Sequence, residues 1–127
     1  MAEGFANCYG SDVLYAESRG LAPVPHVPSQ GIAAMREKNI DISQHVSRRY
    51  DPVIGAAADA VVNMSDYPLP GVQPRKVVVW KVVDPYGKPL AAFQTTRDAI
   101  EKQVMSLILE LRRSAKSQTA RSSAPRA

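Results

Sequence analysis

Thiols are nearly absent from this chain. Cys8 is the single cysteine among 127 residues, so no disulfide can close within it. The only histidines are His26 and His45, and with one cysteine they are too few to build a structural zinc site. No metal and no cofactor is expected. No apolar run approaches the roughly 20 residues that cross a bilayer, so no membrane partner is expected either. The opening Met1-Ala2-Glu3-Gly4-Phe5 has neither the basic nor the apolar region of a secretory leader, and a cytoplasmic location is the expectation.

What is present fits one globular domain. Hydrophobic residues make up 45% and charged residues 22%, ordinary values for a packed core. The net charge of +4 is unevenly spread: Arg112, Arg113, Lys116, Arg121 and Arg126 all fall in the last sixteen residues. Their Ser/Ala/Pro surroundings predict a disordered basic tail over 114–127, following a domain over 1–113. The tail holds no aromatic residue to stack on bases, which argues against a nucleic-acid partner.

Helix and strand signals alternate along the chain. Ala2–Tyr9 is predicted helical, ending at Gly10. Val13–Glu17 is predicted to be a short strand, and the proline-rich 20–28 a loop. Ser29 is placed as the cap of a helix running to Asn39. Asp51 and Pro52 open a weak helix, proline being acceptable in a first turn. Ala60–Met64 and Val77–Val83 are predicted strands, with a proline-rich loop, 67–74, between them. Thr96 is placed as the cap of a helix to Arg113, whose Ile100, Val104, Leu107, Ile108 and Leu111 share one face. This alternation predicts an α/β domain with a mostly parallel sheet. Ligands of such sheets sit outside the carboxyl ends of the strands.

Asp84 follows the second valine-rich run, inside Val82-Val83-Asp84-Pro85-Tyr86-Gly87. A carboxylate held by an Asp-Pro turn at a strand end suits a general acid, which delivers a proton along one line. The same pair is also a common structural turn, since proline presets the geometry. Ser18 follows Val13–Glu17 and can reach the same edge. The only candidate nucleophile, Cys8, lies inside a helix with no arginine or glycine-rich loop beside it, and a buried inert thiol is the expectation. His26 and His45 are expected in surface loops, and Asp66, Tyr67 and Arg75 near the site's border.

Several segments resemble low-molecular-weight protein tyrosine phosphatases and the related arsenate reductases. Met1-Ala2-Glu3-Gly4-Phe5-Ala6 is similar to the helix that follows that family's phosphate-binding loop, which reads Cys, five residues, Arg, Ser or Thr. Glu17-Ser18-Arg19-Gly20 is similar to the Ser-Ala-Gly that ends its second strand. Asn39-Ile40-Asp41-Ile42-Ser43-Gln44-His45 is similar to Gly-Ile-Asp-Ile-Ser-x-His. Asp59–Met64 is similar to the strand before a variable loop, Asp84-Pro85-Tyr86 to the general-acid loop, and the last helix to the C-terminal one. The matches run in order over about residues 1 to 113.

The resemblance implies a three-layer sheet of order 2-1-3-4, a cysteine nucleophile and an aspartic general acid. It assigns Asp84 as that acid, Ser18 and Pro85 as support for the loops of the site, and Tyr86 as the aromatic wall beside the substrate, a phosphorylated protein or small oxyanion. It also implies that the first strand and the Cys-x5-Arg loop are missing here. Without that cradle a phosphoryl transition state loses its main stabilisation, so the chain is expected to be inactive. Phosphomonoester hydrolysis is the first expectation. Arsenate reduction and a non-catalytic binding remnant are the alternatives, and no resolving cysteine stands near Asn63-Met64-Ser65-Asp66 to favour the reductase. The sheet gap leaves three expectations: a start further upstream, direct pairing of the flanking strands, or a homodimer through the gap.

Overall fold

The structure is a computed structural model, and it describes residues 1–21, 26–46 and 48–122. Helix α1 spans Ala2–Tyr9, α2 Ser29–Arg36, α3 Pro52–Ala57 and α4 Leu90–Ser122. Strands β1, Val61–Asn63, and β2, Val77–Val79, form a two-stranded parallel sheet in the register Val61↔Val77, Val62↔Val78, Asn63↔Val79. The α/β class and the short parallel sheet agree with the sequence expectation.

The core lies among the helices, with the segment just past β2 against it. Phe5 and Ala6 of α1, Met35 of α2, Ile40 and Ile42 of the following segment, and Ile100, Val104 and Ile108 of α4 form one buried cluster. Trp80 and Val82, just past β2, pack against it. Helix α4 rests on both α1 and α2. The apolar stripe therefore does what its spacing predicts: Ile100, Val104 and Ile108 are buried, while Leu107 and Leu111 are partly covered.

Helix ends depart from the sequence reading. Helix α4 starts at Leu90, directly after Pro89, because Leu90-Ala91-Ala92-Phe93 are good helix formers and Phe93 is buried in the core. Thr96 is thus not a cap but a buried interior residue. The helix also continues past Arg113 to Ser122, so residues 114–122 have helical backbone; 123–127 lie outside the described residues. Helix α2 stops at Arg36, and Pro28, not Ser29, occupies its N-cap position. Past α2 the turn of 37–39 ends on Asn39 with φ 59°, a left-handed conformation that Asn tolerates better than most residues. Helix α3 starts as predicted, with the Asp51 side chain accepting the Val53 N–H at 2.9 Å and Pro52 in the first turn.

The predicted strand Val13–Glu17 is not a strand. Extended chain counts as strand only when another backbone completes its ladder, and none lies beside it; β1 pairs with β2 alone among the described residues. Direct pairing of the flanking strands across the gap, one of the three expectations, does not occur. Side chains of α1 take up the work instead. The Asn7 amide bonds Ala16 twice, donating to its carbonyl at 2.8 Å and accepting its N–H at 2.7 Å. Glu3 Oε1 accepts the Ser18 N–H at 2.9 Å. Gly20 then bridges to the backbone of Arg48 and Tyr50, each bond 2.8 Å.

Candidate functional site

A cleft of about 720 Å³ opens at the carboxyl end of the sheet. Met1 and Ala2, at the amino end of α1, form one part of its wall. Ser18 contributes from the extended segment, Ser65 and Asp66 from the loop after β1, and Lys81 through Tyr86 from the segment after β2. Val27, Ile42, Phe93 and Ile100 give it an apolar floor. Ser18, Asp84, Pro85 and Tyr86, distant in sequence, thus meet around one space that also contains the start of α1.

Local chemistry fixes the Asp84 turn. Asp84 Oδ1 accepts the Tyr86 N–H at 3.0 Å, a turn that aspartate makes readily two residues ahead of itself. The Pro85 carbonyl accepts the Lys88 N–H at 2.9 Å. Gly87 sits between them at φ 77°, where a residue with a Cβ is strained. Thr96 anchors the turn from below: its buried hydroxyl donates to the Val83 carbonyl at 3.1 Å. The second oxygen of Asp84 has no partner among the described residues.

The opposite rim is held by the loop after β1. Asn63 Oδ1 accepts both the N–H and the hydroxyl of Ser65, at 3.0 and 2.6 Å, and its amide donates to the Tyr67 carbonyl at 2.8 Å. This network turns the chain sharply enough for Asp66 to adopt φ 62°. Asp66 lines the cleft; Tyr67 and Arg75, also expected near the border, do not.

Two residues carry more than the sequence suggested. His45 is half-buried, with Nδ1 at 2.9 Å from Glu3 Oε2. Lys81 is the one lysine or arginine among the described residues that line the cleft; nothing in its local sequence marks it except its place just ahead of Val82-Val83-Asp84. Cys8 is exposed on α1 and outside the cleft, so it is not the buried thiol expected. His26 is exposed, as expected. Burial pushes the Met1 ammonium below its ordinary value, with Glu3 partly opposing the shift. No group of three or more metal-ligating side chains exists among the described residues.

No established sequence-family profile matches the chain. Individual proteins do. An arsenate reductase of Staphylococcus haemolyticus is 36% identical over 110 residues, covering 84% of this chain and 83% of its own length. An arsenate reductase of Staphylococcus aureus is 35% identical over 105 residues, covering 80% and 79%. This chain belongs to the low-molecular-weight phosphatase and arsenate reductase family. Among solved structures, an arsenate reductase in a phosphate-binding state superposes with a TM-score of 0.75 at 30% identity, over 87% of this chain and 86% of that one. A low-molecular-weight protein tyrosine phosphatase from T. tengcongensis superposes with a TM-score of 0.73 at 23% identity, over 86% and 88%, a likeness of fold. No helix among the described residues of this family member is long and apolar enough to cross a membrane.

Proposed function

We propose that the cleft receives a tetrahedral oxyanion at the amino end of α1, with Asp84 as proton donor, Ser18 as polar support and Pro85–Tyr86 as the side wall. The observation carrying this reading is the convergence of Ser18, Asp84, Tyr86 and the first residues of α1 on one cleft. The amino end of a helix offers unpaired N–H groups and positive potential to an anion. A 30%-identical structure described as a phosphate-binding state supports the same class of ligand.

Chemistry on that anion needs a thiolate nucleophile and a cradle of donors around its oxygens. No Arg or Ser/Thr pair stands at Cys-x5-Arg spacing in these residues; the position six past Cys8 is Leu14. The 127-residue chain is therefore expected to bind without turning over. Phosphomonoester hydrolysis remains the first reading because it consumes no further thiol, and Cys8 is the sole one. The names of the sequence relatives favour arsenate reduction as the second.

Nuclear magnetic resonance with inorganic phosphate tests the binding. Shifts concentrated at Ala2, Ser18, Asp84 and Tyr86 are expected; shifts elsewhere, or none, would refute the site. Assays with an aryl phosphate and with arsenate plus thiol reductant should both be blank. Turnover that disappears in Cys8→Ser would return the nucleophile role to Cys8. The unpaired side of β1 is also an edge on which a second copy can add. Gel filtration with mass measurement decides that point, and a clean monomer removes the homodimer.

A further inference from the structure

The ladder between β1 and β2 runs one bond past β2: the Trp80 N–H donates to the Asn63 carbonyl at 3.1 Å. Lys81 comes next, so it stands at the carboxyl end of the strand, where ligands of parallel sheets collect. Trp80 and Val82, on either side of it, pack against the core. Successive side chains of extended chain point to opposite faces. Lys81 is accordingly exposed, and it lines the cleft together with Asp66 and Asp84.

The Lys81 ammonium has no hydrogen bond or ion pair among the described residues. Other cations of this chain that lie near a carboxylate are paired with it. Arg19 meets Glu17 at 2.6 Å, Lys38 meets Glu101 at 3.2 Å, Arg97 meets Asp98 at 2.8 Å and Arg112 meets Asp12 at 3.0 Å. Two carboxylates share the cleft with Lys81, yet neither pairs with it. Asp84 is turned instead toward the Tyr86 N–H. The cleft therefore keeps charges of opposite sign apart around an open space. Met1 lines it too, but burial pushes its ammonium below the ordinary value. A lysine keeps its charge through the neutral range. Its ammonium is a compact charge with three donors on a flexible stem, so it can meet an anion oxygen without fixed bracing.

We propose that Lys81 anchors the anion in the cleft, its ammonium pairing with an outward oxygen of a bound phosphate or phosphomonoester. The proposal rests on the cleft reading above and adds the residue that makes the cleft accept negative charge. An oxyanion placed there faces Asp66 and Asp84, and like charges repel at short range. A protonated Asp84 removes one repulsion, and Lys81 offsets the other. No arginine at Cys-x5-Arg spacing is present to do so.

The test is titration of the whole chain with inorganic phosphate, followed by nuclear magnetic resonance. In the wild type, the Lys81 Cε–Hε signal should move with the same concentration dependence as the Ser18, Asp84 and Tyr86 amides. Lys81→Gln should weaken binding roughly three- to tenfold, because one charge-assisted contact is lost. Lys81→Arg should keep most of the affinity. Lys76→Gln removes the same charge just before the amino end of β2 and outside the cleft, and it should leave affinity unchanged. Added salt should weaken phosphate binding to the wild type more than to Lys81→Gln. The melting temperature of Lys81→Gln should match the wild type, since no bond within the chain is lost.

The outcomes separate the two readings. Cleft amides that shift while Lys81→Gln binds as tightly as the wild type would overturn the role of Lys81 and leave the anion site standing. An equal loss in Lys76→Gln would do the same, by showing an effect of net charge alone. The wild-type Lys81 signal decides the matter without any variant: if it stays still while the amides move, Lys81 does not touch the anion. If phosphate moves no cleft signal at all, the site and its anchor fall together.

Discussion

The hydroxyl of Tyr50 is buried and meets no partner among the described residues. It is pressed against Gly55 in the middle of α3, where a Cβ would come within 2.8 Å of Tyr50 Cζ and closer still to the hydroxyl. Glycine at 55 is therefore a matter of space. Gly55→Ala is expected to cost about 1–3 kcal/mol by overpacking, read as a lower denaturation midpoint in urea. Tyr50→Phe removes a polar atom that lost its water and gained nothing. Its stability should equal or exceed the wild type by up to about 1 kcal/mol. Together the pair checks whether the clash or the hydroxyl dominates: in Gly55→Ala/Tyr50→Phe part of the loss should return, since the ring then ends one atom earlier. None of this is legible in the sequence, where Tyr50 and Gly55 look like unrelated loop and helix residues. The Asp84 turn is the contrary case. Its Asx contact, its proline and its glycine are all local, and Asp84-Pro85-Tyr86-Gly87 announced them.

At the scale of elements, α4 does two jobs. Its stripe supplies the core, and Thr96 holds the loop that carries Asp84. Ile108 is fully buried, and Ile108→Ala should destabilise by about 2–5 kcal/mol through lost burial and a cavity. Its neighbour Leu109 is 47% exposed, and Leu109→Ala should fall within about 0.5 kcal/mol of wild type. Equal losses at the two positions would contradict the helix orientation. Thr96→Val keeps the shape and removes one hydrogen bond. The expected cost is about 1 kcal/mol, accompanied by faster hydrogen exchange through Asp84–Tyr86. Periodicity revealed the stripe because a helix repeats its own geometry. It did not reveal the helix start: Thr96 is a common capping type, and only Phe93's burial in the core shows that the helix must begin earlier. The strand prediction at Val13–Glu17 failed for a related reason. Apolar composition signals a preference for extended chain, but a ladder requires a second backbone, and here the polar face of α1 is what lies alongside.

Over the whole molecule, long-range ion pairs close the circuit between chain segments. Arg112 of α4 grips Asp12 through two bonds of 3.0 Å and also donates to the Tyr9 carbonyl at 2.8 Å. The Arg112 hydrogen bond holds the Asp12 carboxyl below its ordinary value, and the same contact raises Arg112. Because the folded-state value is depressed, the pair's contribution is present above the unfolded value, about 3.9, and is lost as pH falls through the folded one. Acid unfolding of Asp12→Asn should therefore be less steep below about pH 4 than that of the wild type. Both groups are exposed and screened by solvent, so the difference should shrink in high salt. Identical acid profiles would show that the pair is decorative. Arg97 makes the corresponding link between α4 and α2, donating to the Ala34 carbonyl at 3.0 Å from a buried position.

The sequence by itself determined the features whose causes lie within a few residues: the apolar face of α4, the Asp51 cap with Pro52 behind it, and the Asp84 turn. Ordered motifs along the chain also made the family readable. Tertiary structure alone decided that 13–17 would not be a strand, that Lys81 would line the cleft beside Ser18 and Asp84, and that His45 would meet Glu3. Those outcomes depend on which distant group arrives to satisfy a backbone or a charge, and neither propensity nor spacing encodes that arrival.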